Sequence, residues 1–283
     1  MTIEELYRKA KYILLKAGIE DPAFDALCLI EKVFNYNRTM LIAKGDTIAT
    51  DVKEKEFLDL VEKRAEFEPL QYLLGSWNFM GYDFFVGKGV LIPREDTSEV
   101  VTLCIEQAKK YQNPKILDLC AGSGAISVVL AKEIPNAEVT AVELSDKAFP
   151  YLLKNIEHNN ADVKAVNGDI FKCLDEFEEG YFDIIVSNPP YIIRDEIKTL
   201  QKEVQLEPSM ALDGGIDGYD FYRFIISNWT SKLKQNGSMA FELGEGQMDT
   251  VKNLMAQENF GYFKDKIDLG DIQRAIIGTL IQR

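Results

Sequence analysis

Apolar residues recur at helical spacing through the first 75 positions of the chain. The first apolar stripe begins behind Thr2 and Glu5, which have the spacing of a capping box. Asp21 and Pro22 then have the order of an N-cap and a first-turn proline, which predicts the start of a second helix. Shorter helical stripes follow. We therefore predict a small helical bundle domain over residues 1–75.

The pattern changes at residue 76. The stretch WNFMGYDFFVGKGVLIPR mixes aromatic and β-branched residues with glycines, which favours a β-hairpin over a helix. We assign residues 76–92 to a hairpin connector. Its aromatic side chains are expected to form the hairpin core rather than a binding face.

From residue 93 to 283, strand and helix patterns alternate. Apolar strands such as KILDLC, AEVTAVEL, VKAVNGDI and FDIIVSN are separated by helical stretches, one of which, DKAFPYLLKNIEHN, we expect Pro150 to interrupt. Repeated units of this kind predict a Rossmann-like, doubly wound α/β sheet with a mostly parallel core. The last two strands, GYFKDKIDL and RAIIGTLI, adjoin without a helix, so one of them should be antiparallel.

Composition narrows the function classes. The formal net charge is −14, which weighs against nucleic-acid binding because such binding depends on lysine and arginine. His158 is the only histidine, so a Ser-His-Asp triad or a histidine-rich zinc site is improbable, and no metal site is expected. The four cysteines have no metal-type spacing. With no secretory signal and no long apolar run, they indicate a cytoplasmic protein away from membranes. Nothing requires more than a monomer.

A strand, a glycine-containing turn and a helix follow one another in ILDLCAGSGAISVVLA. Gly122 and Gly124 allow a ligand to approach the backbone at the carboxyl end of the strand, and Asp118 can orient the turn or receive an ammonium group. Glu143 ends the next strand, where an acid suits a ribose hydroxyl pair. Ser127 replaces the third glycine of a dinucleotide fingerprint. The spacing instead looks like the first motif of S-adenosylmethionine-dependent methyltransferases.

Asp169, in NGDIF, ends the strand after that. Alone, such an aspartate is more often a helix N-cap. Its place in the series of strand ends makes it a candidate for the cofactor site, because methyltransferases of this type place a residue against the adenine there.

The stretch SNPPYI ends the fourth strand of the same edge. Its prolines stiffen the backbone after Asn188. The side-chain carbonyl of Asn188 and the backbone carbonyl of Pro189 can each accept one N–H of a planar –NH2 group, which aims the nitrogen lone pair and offsets its developing charge. Tyr191 can supply a flat wall. The motif therefore predicts methyl transfer to a planar amino group, which adenine N6, guanine N2 and glutamine all present.

Over nearly its whole length, the chain resembles the protein-(glutamine-N5) methyltransferases that modify peptide chain release factors. The resemblance is carried by SNPPYI together with FEPLQYLLGSWNFMGYDFFVGKGVLIPREDT, EPSMALDGGIDGYDFYR and DLGDIQRAIIG. It implies a class I methyltransferase sheet with an antiparallel last strand, behind a helical domain that helps dock the release factor. It also implies methyl transfer from S-adenosyl-L-methionine, with S-adenosyl-L-homocysteine as product, to the glutamine of a Gly-Gly-Gln motif.

The same resemblance implies roles for individual residues. Residues 120–124 would line the methionine part of the cofactor, Glu143 the ribose, and Asp169 with Ile170 the adenine. The implied cofactor-binding residues are Asp118, Cys120, Ala121, Gly122, Ser123, Gly124, Glu143, Asp169, Ile170 and Asn188. The implied catalytic and substrate-binding residues are Asn188, Pro189, Pro190 and Tyr191.

The chain departs from the family pattern in places. Cys120 and Ala121 stand where the glycine loop usually has glycine and threonine, and we expect the loop to keep its shape because both are small. Glu95 and Ser98 stand where proline and glutamate are common. Arg94 matches the family pattern. A structural ion pair between the domains and a contact with the substrate are equally good interpretations of its role.

Two other functions remain as alternatives. A nucleic-acid amino methyltransferase acting on adenine N6 or guanine N2 shares the chemistry, but the chain shows no basic stripe with interleaved aromatics. The second alternative is a non-catalytic partner protein that binds S-adenosylmethionine, and the intact Asn188 argues against this interpretation.

Overall fold

The structure is a computed structural model that describes residues 1–268 and 270–281. In that part of the chain there are two compact units, each with its own hydrophobic core. The first contains residues 1–76 and 201–206, and the second contains residues 77–200 and those from 207 onward. In these described ranges, none of the helices combines the length and the apolar character that crossing a bilayer requires.

Helices packed around an apolar core form the first unit. Thr2 Oγ1 accepts from the backbone N–H of Glu5 at 3.1 Å, and the Glu5 carboxylate accepts from Thr2 N–H at 2.9 Å, so the predicted capping box is present. Asp21 caps the second helix and Pro22 is its first residue, also as predicted. The helices are α1 Ile3–Ala17, α2 Pro22–Phe34, α3 Arg38–Lys44, α4 Asp51–Ala65 and α5 Leu70–Leu74.

A buried arginine holds the segment 201–206 to the helices of this unit. Arg64, in α4, is 4% exposed; its Nε donates to Asp25 at 2.6 Å and its Nη2 to Glu203 at 2.5 Å. Burial raises the pKa of Asp25, although the Arg64 guanidinium opposes the shift. A guanidinium in an apolar core needs such partners, so this network anchors residues 201–206.

The predicted hairpin is present and short. It consists of β1 Ser76–Phe79 and β2 Tyr82–Phe85. Phe79 and Phe84 are fully buried and pack into the core of the second unit, which confirms a packing role for these two aromatic side chains.

A seven-stranded sheet forms the centre of the second unit in the described residues. Its strands are β3 Lys115–Leu119, β4 Glu138–Glu143, β5 Val163–Asn167, β6 Phe182–Ser187, β7 Leu233–Glu242, β8 Phe260–Ile267 and β9 Gln273–Leu280. The order is β5-β4-β3-β6-β7-β9-β8; β9 runs antiparallel to both β7 and β8, and the other described pairs in this sheet are parallel. The predicted fold class is therefore confirmed. Leu269, where the predicted strand GYFKDKIDL ends, lies outside the described residues.

Helices flank this sheet. They are α6 Thr97–Ala108, α7 Ala125–Glu133, α8 Phe149–His158, α9 Asp220–Phe224 and α10 Met248–Gln257. The prediction for Pro150 was wrong, because this residue lies in the first turn of α8 and does not interrupt it. A proline is tolerated there since the first N–H groups of a helix have no partner inside it.

The parallel strands end at one edge of the sheet. Leu119 pairs in register with both Val142 and Ser187, and Glu143 pairs with Asn167. The turns that follow β3, β4, β5 and β6 are therefore neighbours, and they carry most of the predicted site residues.

Candidate active site

A cleft lies at this edge, within the second unit. The empty space in this cleft is about 710 Å³, including the part that is open to solvent. The predicted site residues that line it are Cys120, Gly122, Glu143, Asp169, Ile170, Asn188 and Pro190. Residues that sequence reasoning did not select also line it, among them Leu91, Phe171, Met210 and Phe221. Four strand ends thus converge on the same cavity.

The remaining predicted site residues do not line the cleft. They are Asp118, Ala121, Ser123, Gly124, Pro189 and Tyr191. The Tyr191 hydroxyl donates to Glu242 Oε1 at 3.3 Å, and burial raises its pKa. The role of Tyr191 as a wall for a planar group stays a prediction.

The turn after β3 is left-handed at three residues. The φ angles are +64° at Cys120, +56° at Gly122 and +83° at Gly124. Cys120 thus adopts a conformation that suits glycine, at a cost of about 1–2 kcal/mol. A methyl group on Gly124 would lie 2.6 Å from Leu152 Cδ1, whereas one on Gly122 would meet no atom within 4 Å. Only the Gly122 position leaves open space beside the backbone.

Asp118 orients the start of α7. Its Oδ2 accepts from the backbone N–H of Ser127 at 3.1 Å and from the Ser127 hydroxyl at 2.7 Å. The buried Oδ1 has no hydrogen-bond partner among the described residues. Burial raises the pKa of Asp118 to about 7, with the bonds from Ser127 opposing the shift. Of the two roles considered for Asp118, the geometry shows the orienting one.

The Glu143 carboxylate joins two turns. Its Oε2 accepts from Gly122 N–H and its Oε1 from Ser145 N–H, both at 2.7 Å. Burial raises its pKa, and these backbone N–H groups oppose the shift. Each carboxylate oxygen can accept more than one hydrogen bond, so Glu143 can still accept from a hydroxyl in the cleft.

A charged turn and an aromatic pair lie beside Ile170. Asp169 Oδ1 accepts from Phe171 N–H at 3.0 Å, and its Oδ2 pairs with Lys172 at 2.9 Å, which lowers the pKa of Asp169. The rings of Phe171 and Phe221 lie with their centroids 5.3 Å apart, and both line the cleft. Flat apolar side chains beside a few polar groups are typical of a ligand-binding pocket.

Residues 188–191 form the NPPY corner. Asn188 Nδ2 donates to Thr97 Oγ1 at 3.4 Å. Within the described residues, neither Asn188 Oδ1 nor the Pro189 carbonyl accepts a hydrogen bond. The corner therefore keeps two oxygen acceptors, which is what a planar –NH2 group requires.

The glycine-rich segment 212–218 packs against the NPPY corner from behind. Ile192 O accepts from Gly214 N–H at 2.8 Å, and Gln247 Nε2 donates to Tyr191 O at 3.0 Å. A methyl group on Gly214 would lie 2.7 Å from Tyr191 Cα, and one on Gly218 would lie 2.6 Å from Tyr191 O. A side chain at either position would therefore push against the Tyr191 backbone.

Asn155 was missed by sequence reasoning. Its Nδ2 donates to Ser123 O at 2.9 Å and to Phe85 O at 3.1 Å, and its Oδ1 accepts from Phe85 N–H at 2.7 Å. It therefore holds the glycine loop to the hairpin. One signal was available: a polar residue three positions after Leu152 lies on the apolar face of α8.

Two family models match the chain. Residues 5–75 match the PrmC N-terminal domain, and residues 96–207 match the methyltransferase small domain. A Geobacter sulfurreducens protein named release factor glutamine methyltransferase is 36% identical over 280 residues, a match that covers 99% of this chain and 97% of that protein. The chain belongs to the release factor glutamine methyltransferase family. A Clostridium acetobutylicum protein of the same name is 35% identical over 283 residues and is covered to 99%, as is this chain.

Solved structures agree on the fold. A methyltransferase from Pyrococcus furiosus is similar with a TM-score of 0.52 at 20% identity, over 82% of this chain and 100% of that one. At this identity the likeness shows the fold alone. With the family membership, it confirms the prediction that this chain is a methyltransferase.

The segments that carry the resemblance to release factor glutamine methyltransferases support the cleft. Arg94 forms an ion pair with Glu207, whose Oε2 also accepts from Ile92 N–H at 3.0 Å. Arg94 and Glu207 both belong to the second unit, so this ion pair does not join the two units. Pro208, the next residue, lines the cleft.

Proposed function

We propose that this enzyme transfers a methyl group from S-adenosyl-L-methionine to the side-chain amide nitrogen, N5, of the glutamine in the Gly-Gly-Gln motif of peptide chain release factors. The observation that carries the proposal is the NPPY corner. Its Asn188 Oδ1 and Pro189 carbonyl are two acceptors without partners in the described residues, and Asn188 lines the cleft. The names of the relatives support a release factor as the substrate.

The cleft fits the cofactor on structural grounds. Gly122 leaves open space where a side chain would stand, Glu143 keeps lone pairs for a ribose, and Phe171 and Phe221 offer flat apolar faces for an adenine. Asp169 and Ile170 lie beside these rings in the lining. The bound S-adenosylmethionine supplies an electrophilic methyl group and leaves as S-adenosylhomocysteine.

The residues of the chain aim the nucleophile. An amide nitrogen is a poor nucleophile because its lone pair is delocalised, so its two N–H groups need acceptors that fix its direction. Asn188 Oδ1 and the Pro189 carbonyl accept these two hydrogens and stabilise the positive charge that develops on nitrogen. Pro190 keeps the backbone stiff, so the acceptors need no reorganisation. The methylated nitrogen then loses its extra proton without a strong base.

The domain roles follow as part of the same proposal. Residues 1–75 dock the release factor, residues 76–92 connect, and residues 93–283 carry the chemistry. Three apolar side chains of the first unit are 77–80% exposed, those of Ile42, Ile48 and Val52, and such exposure supports a docking surface on this unit. The net charge of −14 favours a protein over a nucleic acid as substrate. We expect a monomer acting in the cytoplasm.

A labelling experiment tests the substrate. The enzyme is incubated with methyl-labelled S-adenosylmethionine and, separately, a full-length release factor, the same factor with its Gly-Gly-Gln glutamine changed to asparagine, total RNA, and DNA. We expect label in the unmodified factor alone, with mass spectrometry placing one methyl group on that glutamine. Label that enters only nucleic acid would reject the proposal.

Asn188→Ala tests the mechanism in the same assay. We expect methylation to be nearly abolished while cofactor affinity stays within a few fold, because removing one preorganised donor or acceptor costs about 10²–10³ in rate. Asn253→Ala, at an exposed position of α10, is the matched control and should behave as wild type. Intact turnover in Asn188→Ala would contradict the assigned role.

A further inference from the structure

A buried carboxylate lies behind the NPPY corner and has no part in the mechanism above. Glu242 is the last residue of β7 and is 2% exposed. Strands β6 and β7 are parallel, and Ser187 pairs with Phe241. Asn188 and Glu242 are therefore the next residues along two neighbouring strands. Burying a carboxylate is costly, so its place beside Asn188 calls for a physical reason.

Glu242 contacts the Tyr191 end of the corner directly. Its Oε1 accepts from the Tyr191 hydroxyl at 3.3 Å. The Thr97 side chain lies close to the same carboxylate, whose buried Oε2 has no hydrogen-bond partner in the described residues. Thr97 Oγ1 also accepts from Asn188 Nδ2 at 3.4 Å. Donation from the Thr97 hydroxyl to the open Oε2 would therefore complete a series of hydrogen bonds from Glu242 through Thr97 to Asn188.

The direction of each hydrogen bond in this series of polar groups determines how the Asn188 amide is oriented. An ionised carboxylate only accepts, and a hydroxyl has a single hydrogen to donate. When Thr97 donates to Glu242, it can only accept from Asn188. Asn188 must then turn its NH2 group to Thr97 and its oxygen to the cleft. In the flipped amide, an NH2 group would face the N–H groups of the substrate, donor against donor.

We propose that Glu242 and Thr97 are positioning residues that fix the amide orientation of Asn188, so that its Oδ1 faces the substrate amide. The inference rests on the proposed function, because it explains how one of the two acceptors is held. The hydroxyl of Tyr191 ties the other end of the corner to the same carboxylate.

Other charged and titratable groups surround Glu242. Besides Tyr191, they are Tyr222 of α9, whose hydroxyl donates to the Glu242 carbonyl at 2.8 Å, Asp96 before α6, and Arg274 of β9. Arg274 pairs with Asp96 at 3.2 Å and with Asp268 at 2.7 Å, so two carboxylates share its charge. Within the described residues, no cation forms a direct ion pair with the Glu242 carboxylate, although the charge of Arg274 acts on it.

Paired substitutions test the proposal. Thr97→Val keeps the shape but removes the hydroxyl, and Thr97→Ser keeps the hydroxyl. Glu242→Gln is compared with Glu245→Gln, an exposed glutamate three residues on. At pH 8 we expect Thr97→Val and Glu242→Gln to lower kcat about tenfold, the effect of one lost hydrogen bond, with KM and cofactor affinity nearly unchanged. Thr97→Ser and Glu245→Gln should match wild type. The double variant Thr97→Val/Glu242→Gln should be no slower than either single variant.

A pH titration separates positioning from packing. Burial raises the pKa of Glu242 to about 7. Once protonated, Glu242 can donate to Thr97 and the constraint on Asn188 is lost, so wild-type kcat should fall as the pH drops through about 7. Because the pKa of Asp118 lies in the same range, the decisive observation is how the pH dependence of kcat in Glu242→Gln differs from that of wild type. In NMR spectra, the Asn188 side-chain NH2 signals should follow the same titration in wild type but not in Thr97→Val.

The outcomes are distinct. A Thr97→Val variant with wild-type kcat and wild-type pH dependence of the Asn188 NH2 signals would overturn the inference. The NMR titration does not depend on turnover. If wild type methylates no release factor, the proposed function fails, while the hydrogen-bond chain is still judged by the NMR signals alone.

Discussion

Gly214 lies against the backbone of the NPPY corner, and replacing it by alanine tests how closely Asn188 must be held. A methyl group there would lie 2.7 Å from Tyr191 Cα and 2.8 Å from the Tyr191 carbonyl carbon. Carbon atoms pack favourably at about 3.5–4.0 Å, so Gly214→Ala must separate the two segments by roughly 1 Å. Gln247 holds Tyr191 O, and the prolines transmit the movement to Asn188.

A displacement of this size near reacting atoms costs about 10²-fold in rate, which corresponds to about 2.7 kcal/mol. We therefore expect kcat of Gly214→Ala to fall roughly 100-fold. Cofactor affinity should change only a few fold, because Gly214 does not line the cleft. The overpacking should also lower stability by about 1–3 kcal/mol.

Single-turnover methylation of a release factor, cofactor binding by calorimetry and thermal unfolding measure these three quantities. Gly81→Ala is the matched control: its φ is +87° but no atom lies within 4 Å of the added methyl group. It should lose about 1–2 kcal/mol of stability, because alanine is strained at this φ, and keep its turnover. A folded Gly214→Ala enzyme whose kcat stays within threefold of wild type would refute the reasoning.

Four further substitutions test other parts of the structure. Cys120→Gly should stabilise the protein by up to about 1 kcal/mol in denaturant unfolding, because the left-handed φ of +64° strains cysteine; a loss of stability would contradict this. Glu143→Ala should weaken cofactor binding at least tenfold, measured by calorimetry, because hydrogen bonds to charged groups are worth about 1.5–3 kcal/mol. An unchanged affinity would show that Glu143 does not contact the ribose. Arg64→Ala leaves the Asp25 carboxylate buried without its guanidinium partner, so stability should fall by about 3–5 kcal/mol. Amide hydrogen exchange in α2 should become faster as a result. Arg8→Ala, which breaks an exposed ion pair, is the control and should show neither effect. Asp118→Asn should flatten the pH dependence of unfolding. Burial places the folded pKa of Asp118 near 7, so the native state retains a proton that the unfolded chain has lost, and wild-type stability falls as pH rises from about 4 to 7. An unchanged slope in Asp118→Asn would show that Asp118 does not titrate this way.

The fold and the outline of the site could be predicted from the sequence because both follow from local periodicity. Parallel strands place their carboxyl ends at one edge, so residues that end consecutive strands, such as Glu143 and Asn188, meet in space whatever lies between them. The same rule brought Cys120 and Asp169 into the cleft.

The groups that hold the site in place could not be predicted in this way. Asn155 acts on Phe85, and Gln247 acts on Tyr191, across separations of 70 and 56 residues. No periodic pattern encodes such pairs, since they depend on how finished elements pack. Glu242 reads as an ordinary strand end until its neighbour Thr97 is known. The inclusion of residues 201–206 in the first unit is equally invisible, because it depends on the ion pair between Glu203 and Arg64.

The side chain of Cys120 has a chemical consequence for an enzyme that handles an alkylating cosubstrate. Burial strongly raises the pKa of this thiol, with the nearby Glu143 charge adding to the effect. Sulfur attacks carbon as the thiolate, so a thiolate in this turn would compete with the substrate for the methyl group and inactivate the protein by methylating itself. Because burial disfavours the thiolate of Cys120, the cleft that we propose for the methyl donor can contain a cysteine.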